Sequence, residues 1–428
     1  MELAAGGFVM MAVFLFIVIR KAMSVVTAMI VVPIGFGLLA GAGQTMGGMI
    51  ITSLIKLAPT ACALVFAVYF FALMMDAGLF SPMVEWAVRW SEGDPVKVSL
   101  ATSLVILVTA CAGNGATVSL VAIGAFLPVY EQLKLPPMNL AILLATSSVV
   151  INLMPWGGTM LRVASALNVE IMDIFMPLLP TLLVGAAGNM AIAFWLGWQG
   201  RKTQVGAGRN NNVSDIAVPQ EHSPSTGIFW SNVGLTIAVV VMAVFEVLPL
   251  PVTFMVGLAL ALLLNFRGAR QQNAFFAKHA ANVINIVLLV FAAAVFTGVL
   301  AGTGAIGAMG QAINNALPEA FGPHFGLVVA ALSGPLNFIM TNDAFYYGIV
   351  PLLAETAQHF GLNAEEIGRA SILGVTMNAI SPLVAAVYIV AGLLKLEVTH
   401  MQLQVFPFAA FIYVLMVATA LLSGAVPY

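Results

Sequence analysis

Two interrupted apolar segments decide the fold of this chain. The first reads Val150-Ile151-Asn152-Leu153-Met154-Pro155-Trp156-Gly157-Gly158, and the second reads Val375-Thr376-Met377-Asn378-Ala379-Ile380-Ser381-Pro382. Each places an Asn and then a Pro inside an apolar run, and the two Asn residues lie 226 positions apart (378 − 152). Gly78 and Gly304, which follow similar apolar runs, have the same offset. Paired interrupted helices in the two halves of a membrane protein indicate a transporter's binding site.

The composition is that of a membrane protein. Hydrophobic residues make up 61% of the chain and charged residues only 7%, against about 25% charged residues in soluble domains. Apolar runs of about 20 residues recur along the chain, and they are continuous rather than alternating. We therefore predict an all-α polytopic membrane protein, because helices satisfy every spanning backbone amide internally. The net charge of −2 gives no indication of a nucleic-acid partner.

The apolar runs define the expected spans. In the first half they cover 3–20, 23–42, 58–76, 98–131, 138–166 and 172–198, and in the second half 227–248, 250–266, 282–302, 325–355, 366–396 and 402–426. The segments 98–131 and 325–355 are too long for one straight crossing and carry polar residues near the middle. We expect each to form a re-entrant hairpin followed by a further helix, with broken helices over 138–166 and 366–396.

A hydrophilic connection at 199–226 separates the first repeat, 1–198, from the second, 227–428. Basic residues cluster after the first span, in this linker and after the second span of the second repeat; they are Arg20, Lys21, Arg201, Lys202, Arg209, Arg267, Arg270 and Lys278. Placing all three groups in the cytoplasm orients the two repeats in opposite directions. The alternative, a parallel duplication, would leave one basic group outside.

Polar clusters near the middle of both long segments are candidates for the site. The first spans 109–119 and includes Asn114 and Thr117, and the second spans 334–344 and includes Thr341 and Asn342. Irregular backbone at membrane depth is tolerated where it lines a cavity, and helix ends there suit ions. The alternative is that these small residues only allow helices to pack closely.

Two charged residues lie close to these polar segments. Asp343 is embedded in an apolar environment, where a carboxylate is costly unless it is paired, hydrated or protonated, so it is a candidate to hold a metal ion or a proton. The alternative is a structural acid bonded to neighbouring amides. Arg162, just after the first break, is suited to binding a carboxylate with two hydrogen bonds. The alternative is a side chain that reaches a headgroup or the interfacial Glu170 or Asp173.

Enzymatic function is poorly supported by the sequence. The five histidines show no ligand spacing, and no zinc-protease motif, phosphate loop or hydrolase nucleophile elbow is present. Cys62 and Cys111 lie inside apolar runs, which argues against a disulfide framework or a thiolate metal site.

The chain resembles the citrate–metal–proton symporters, the CitMHS family of the ion transporter superfamily. The resemblance rests on Asn152-Leu153-Met154-Pro155-Trp156-Gly157-Gly158 with Arg162, on Thr341-Asn342-Asp343-Ala344-Phe345-Tyr346-Tyr347-Gly348, and on Gly113-Asn114-Gly115-Ala116-Thr117 leading to Leu127-Pro128-Val129-Tyr130. It implies import of citrate chelated to a divalent metal (Mg²⁺ or Ca²⁺) and driven by protons. It also implies an elevator, with a scaffold and a moving transport domain in each subunit of a homodimer. Aspartate is usual in the family where this chain has Asn114, which weakens the case for a metal because hard cations prefer anionic oxygens.

Our leading hypothesis is therefore a secondary transporter of citrate or a similar carboxylate in the cell inner membrane, with no permanently bound cofactor. Arg162 and the hairpin amides would bind carboxylate groups, and Asp343 would bind the metal or the coupling proton. A sodium-coupled carrier of free carboxylates and a cation–proton antiporter are the alternatives. The substrate-binding residues expected on this hypothesis are Asn114, Thr117, Asn152, Gly157, Gly158, Thr159, Arg162, Thr341, Asn342, Asn378 and Ser381.

Overall fold

A computed structural model of the chain describes residues 2–91, 93–110, 115–204, 226–316 and 322–427. Within these ranges every regular element is a helix, which confirms the predicted all-α class. Six of the described helices contain stretches long and apolar enough to cross a membrane, and these stretches are Glu2–Ile19, Met46–Asp76, Ile171–Lys202, Gly227–Val244, Val283–Gly302 and Val398–Leu422. Residues 205–225 of the predicted linker at 199–226 lie outside the described residues, and the helix before the linker extends to Gln204 rather than ending at 198.

The helices divide between the two halves of the chain. The first half contains α1 (Glu2–Ile19), α2 (Val25–Leu39), α3 (Met46–Asp76), α4 (Ser81–Ser91), α5 (Pro95–Ala110), α6 (Gly115–Gln132), α7 (Pro137–Ile151), α8 (Gly158–Leu167) and α9 (Ile171–Gln204). The second half contains α10 (Thr226–Val244), α11 (Leu250–Asn265), α12 (Ala269–Gly302), α13 (Ala305–Ala316), α14 (Phe325–Ile339), a π-helix (Ala344–Ile349), α15 (Val350–Gln358), α16 (Ala364–Ile372), α17 (Val375–Asn378), α18 (Ala385–Leu393) and α19 (Val398–Leu422).

The matched glycines of the sequence take the same conformation in the two halves. Gly78 follows the end of α3 with a φ of 72°, and Gly304 follows the end of α12 with a φ of 73°. A residue with a Cβ rarely adopts this left-handed conformation, so glycine is suited to ending both long helices.

Two features of the fold differ from the sequence prediction. Two spans begin earlier than predicted, α3 at Met46 rather than at 58 and α12 at Ala269 rather than at 282, so that α3 includes Lys56. Helices α4 and α13 were not predicted, because they are only 11 and 12 residues long, too short to form an apolar run of about 20 residues.

The expected interruptions lie inside the long segments. The segment 98–131 divides into α5 and α6, and 325–355 divides into α14, the π-helix and α15. The first break separates α7 from α8, and the second separates α17 from α18. At these breaks the backbone leaves helical geometry near Pro155 and Pro382. Proline has no backbone N–H, so it cannot donate the hydrogen bond that a continuous helix requires.

The helices pack in two groups. Helix α3 packs against α11 and α12, and α12 also packs against α2; we call α1–α3 with α10–α12 the outer group. The remaining group holds the interrupted helices, in which α5 packs against α7 and α9, and α14 packs against α16 and α17. Helices α8 and α13 lie at the boundary between the groups, because α8 also contacts α3 and α12, and α13 packs against both α1 and α15.

Trp156 connects the first break to the outer group. Its ring stacks on Phe71 of α3 with the centroids 5.4 Å apart, and it meets Phe254 of α11 edge-on at 5.8 Å. Because Trp156 is buried in this aromatic cluster and is not among the residues lining the cavity described below, its contacts anchor the break.

Candidate functional site

A cavity of about 220 Å³ lies where the interrupted segments meet. Ala110 of α5 and Ser119 of α6 contribute to its wall, together with both breaks and the loop before the π-helix. Five of the predicted site residues line it, namely Asn152, Gly157, Gly158, Asn342 and Asn378. Most of the remaining wall is apolar and comes from α7, α18 and α19. A largely apolar cavity with a few convergent polar groups is typical of a small-molecule site.

The first break presents the amino-terminal end of α8 to this cavity. Gly157 has extended backbone (φ −67°, ψ 138°) before the first turn of α8, and no side chain caps the helix there. Its N–H donates to the carbonyl of Met154 at 2.8 Å, which closes a tight turn. The free amides and the positive end of the helix dipole therefore lie beside Gly157 and Gly158, and this arrangement favours an anion.

Close backbone packing explains the first glycine of the pair. A Cβ on Gly157 would lie 2.8 Å from the carbonyl oxygen of Asn152 and 2.9 Å from that of Met154. A larger residue would force this turn open. Thr159, the second residue of α8, donates a hydrogen bond from its hydroxyl to Oδ1 of Asn152 at 3.3 Å and thereby orients that side chain. Thr159 is not among the residues that line the cavity.

Arg162 and Asp343 form an ion pair between the two halves of the chain. Nε of Arg162 donates to Oδ1 of Asp343 at 2.6 Å, and Nη1 donates to the carbonyl of Gly158 at 2.9 Å. The side chains are 23% and 20% exposed, so the pair is largely removed from water. Arg162 therefore pairs with Asp343 rather than with Glu170 or Asp173. Asp343 pairs with this arginine rather than with neighbouring amides alone.

The guanidinium retains donor capacity for a ligand. Its Nη2 makes no hydrogen bond with any residue that the structure describes, while Nε and Nη1 are occupied. Ser165, one turn further along α8, donates to the carbonyl of Arg162 at 3.0 Å and lies 3.1 Å from the hydroxyl of Tyr347. Helix α8 is thus joined to the π-helix by Ser165 as well as to the residue before it by the ion pair.

The second break is held by the end of α14. Nδ2 of Asn378 donates to the carbonyl of Asn337 at 3.1 Å, and the hydroxyl of Ser381 donates to the carbonyl of Phe338 at 2.7 Å. These carbonyls belong to the last turn of a helix and have no partner within it. Both predicted binding residues therefore bond to backbone carbonyls. Asn378 also lines the cavity, whereas Ser381 is not among the lining residues.

The loop before the π-helix supplies one polar group to the cavity. Thr341 accepts a hydrogen bond from the N–H of Ala344 at 3.3 Å, which caps the following turn, and it is not among the lining residues. Asn342 lines the cavity, and its Oδ1 is buried without a hydrogen-bond partner. A buried amide oxygen without a donor is costly, so a bound ligand would offset this cost.

Two predicted residues cannot be placed in the site. Asn114 lies outside the described residues, and Thr117 lies in α6 but its side chain is not described. The structure adds a polar lining residue that the sequence analysis did not select, Gln402, whose amide donates to the carbonyl of Ile380 at 3.0 Å. Its position at the first residue of an expected span was the available signal.

No group of three or more His, Cys, Asp or Glu side chains close enough to hold a metal ion occurs within the described ranges. Asp343 is the carboxylate next to the cavity lining, and it is already paired with Arg162. A divalent ion here would therefore need most of its oxygen ligands from the molecule that carries it.

Comparison with known proteins assigns the family. The sequence model of the CitMHS citrate transporter family matches residues 6–374 of this chain. A citrate transporter of Bacillus subtilis (strain 168) is 36% identical over 436 residues, covering 100% of both chains. A Mg²⁺/citrate complex secondary transporter of the same organism is 35% identical over 429 residues, covering 99% of both.

Solved structures of transporters share the fold. The YdaH transporter of Alcanivorax borkumensis matches with a TM-score of 0.59 at 14% identity, over 88% of each chain. MtrF of Neisseria gonorrhoeae matches with a TM-score of 0.55 at 13% identity, over 90% of this chain and 84% of that one. The family match and the full-length relatives, together with the apolar helices, make the protein a multi-pass membrane transporter rather than an enzyme, as predicted. From its sequence and its full-length relatives, the chain belongs to the CitMHS citrate transporter family.

Proposed function

We propose that this protein imports citrate, or a similar di- or tricarboxylate, as a complex with a divalent metal and together with protons. The observation that carries the proposal is the Arg162–Asp343 pair, at 2.6 Å, beside a cavity to which both interrupted helices contribute. One group of this pair suits the anion, and the other suits the metal or the proton. The names of the two relatives from Bacillus subtilis support citrate and its magnesium complex as the substrate.

The anion-binding half of the site comes from the first break. The free Nη2 of Arg162 and the uncapped amides of α8 are donors at one end of the cavity. A carboxylate placed there gains a charge-assisted hydrogen bond and the favourable field of the helix end. Citrate has three carboxylates, so it can bind this end and still present oxygens to a metal ion.

The cation-binding half comes from the second repeat. Asp343 supplies an anionic oxygen and Asn342 supplies a neutral amide oxygen that has no donor. These are the ligand types that Mg²⁺ and Ca²⁺ prefer. The metal is cargo in this proposal, and citrate provides the remaining ligands.

Competition for Arg162 couples anion to cation. Nε of Arg162 donates to Asp343 in the structure. A substrate carboxylate that binds Nη2 and Nε together competes with Asp343 for Nε, and the displaced Asp343 then needs another positive partner in a largely buried position. A proton or the metal ion satisfies that need, so the two are taken up together.

The same proposal includes the larger architecture. Repeats 1–198 and 227–428 would have opposite orientations, the outer group would be a fixed scaffold in a homodimer, and the interrupted group would move as an elevator in the cell inner membrane. The dense packing of α3 against α11 and α12, and of α5 against α7 and α9, supports this division, with α8 and α13 at the boundary between the groups.

Arg162→Ala in proteoliposomes tests the assignment. We expect loss of labelled-citrate uptake with normal membrane expression, because the carboxylate loses its donor. Arg162→Lys keeps the charge without the planar fork and should retain a small part of the uptake. Arg89→Ala is the matched control, since Arg89 lies on α4, its side chain is 79% exposed and it pairs with Glu85 on the same helix. Full uptake by Arg162→Ala would refute the role.

A further inference from the structure

A second, larger cavity lies between the two helix groups. Its volume is about 540 Å³, and its wall combines α3 and α12 of the outer group with α8 and α15 of the interrupted group. Its polar lining includes hydroxyls and amides, which are those of Thr52, Ser53, Ser165, Asn168, Thr297 and Gln358. The function proposed above makes no use of this cavity.

Two charged side chains of opposite sign line this second cavity. Lys56 lies ten residues into the spanning helix α3, and Glu355 lies on α15. Neither forms a hydrogen bond or an ion pair with any residue in the described ranges. A lysine inside a membrane span is costly unless water or a partner reaches it, so an unpaired one that faces a cavity indicates a functional role.

Helix α8 connects the two cavities. Gly158 at its start lines the first cavity, while Ser165 and Leu167 near its end line the second. The seven residues from Gly158 to Ser165 span about 10 Å along the helix axis. Arg162 lies between them and faces Asp343. A solute in the second cavity is therefore about two turns of helix from the proposed binding residues.

The predicted orientation places the second cavity on the outer side. Arg201 and Lys202, at the end of α9, would be cytoplasmic. Helix α9 is 34 residues long, so its start at Ile171 lies at the opposite face. Asn168, which lines the second cavity, is three residues before that start. For an importer this is the side from which the substrate arrives.

We propose that the second cavity is an approach site for a metal-complexed polycarboxylate, with Lys56 binding a free carboxylate and Glu355 facing the metal ion. This inference rests on the proposed function. A metal-free polycarboxylate has only negative groups and would be opposed by Glu355, whereas a metal complex presents both signs of charge. The two side chains together therefore match the complex better than the free anion.

Kinetics in proteoliposomes test the approach site. We expect Lys56→Gln to raise the KM for magnesium citrate about three- to tenfold, the scale of one partly hydrated charge contact, with the maximal rate within about twofold of wild type. Lys56→Arg should restore the KM. Glu355→Gln should raise the uptake of metal-free citrate relative to magnesium citrate. Lys97→Gln is the matched control, because Lys97 lines neither cavity.

The outcomes separate this inference from the proposed function. A wild-type protein that does not transport citrate refutes both. A transporting wild type with an unchanged KM in Lys56→Gln and an unchanged metal preference in Glu355→Gln refutes the approach site alone. Recovery of both properties by the exchange of charges in Lys56→Glu with Glu355→Lys would also overturn it, since that result indicates an ion pair between the two residues. If Lys56→Gln fails to reach the membrane, the metal preference of Glu355→Gln decides.

Discussion

Asp343→Asn should strengthen the binding of the anion while it abolishes its coupling to protons. On the proposed function Asp343 competes with the substrate for Arg162, because its Oδ1 accepts a hydrogen bond from Nε at 2.6 Å. Asparagine keeps the shape of the side chain but removes the negative charge, so the guanidinium becomes available. The same change removes the group proposed to carry the proton or contact the metal.

The size of the effect follows from the geometry of the pair. A hydrogen bond between charged groups contributes about 1.5–3 kcal/mol. The side chains are 23% and 20% exposed and share one short contact, so we take the lower end of that range. About 1.5 kcal/mol corresponds to roughly tenfold tighter binding of metal-free citrate.

Two measurements on the same variant check this reasoning. Titration calorimetry on purified protein gives the Kd of citrate, and uptake into proteoliposomes with and without an inward proton gradient gives the coupling. Asp94→Asn is the matched control, because Asp94 also forms a 2.6 Å ion pair, with Arg201, but lies outside the cavity. Weaker citrate binding by Asp343→Asn, together with uptake that still responds to the proton gradient, would refute the competition between Asp343 and substrate.

Two further predictions concern the breaks themselves. Gly157→Ala should lower stability by about 1–3 kcal/mol and reduce uptake, since its Cβ would lie 2.8 Å from the carbonyl of Asn152; the Tm in detergent checks this, with Gly234→Ala, which has open space, as the control that should not lose stability. Asn378→Ala should cost about 1–3 kcal/mol by leaving the carbonyl of Asn337 without its donor. An unchanged Tm in Asn378→Ala would show that this hydrogen bond is dispensable.

The sequence was most informative about features that repeat. Apolar run length is a direct consequence of bilayer thickness, so most spans could be placed to within a few residues. The paired Asn and Pro residues marked both breaks, and the paired glycines Gly78 and Gly304 end equivalent helices with the same φ. The predicted third span is shorter than α3 because Thr52, Ser53 and Lys56 make the first half of the helix less apolar. In the structure these residues line the second cavity.

The sequence was least informative about contacts across the chain. Arg162 and Asp343 were both selected from their surroundings, but nothing local indicates that residues 181 positions apart form a pair. Asn378 and Ser381 were expected to face the ligand, yet both bond to carbonyls at the end of α14. Whether a polar side chain in a break contacts substrate or backbone depends on which helix end lies opposite, and that requires the fold.

Uptake of labelled citrate by the wild-type protein decides the account, measured in proteoliposomes with and without magnesium or calcium at two external pH values. We predict uptake that requires a divalent metal and increases when the external pH is lowered, since the metal completes the substrate and protons drive its import. Uptake that needs sodium and is indifferent to magnesium, calcium and pH would contradict the account.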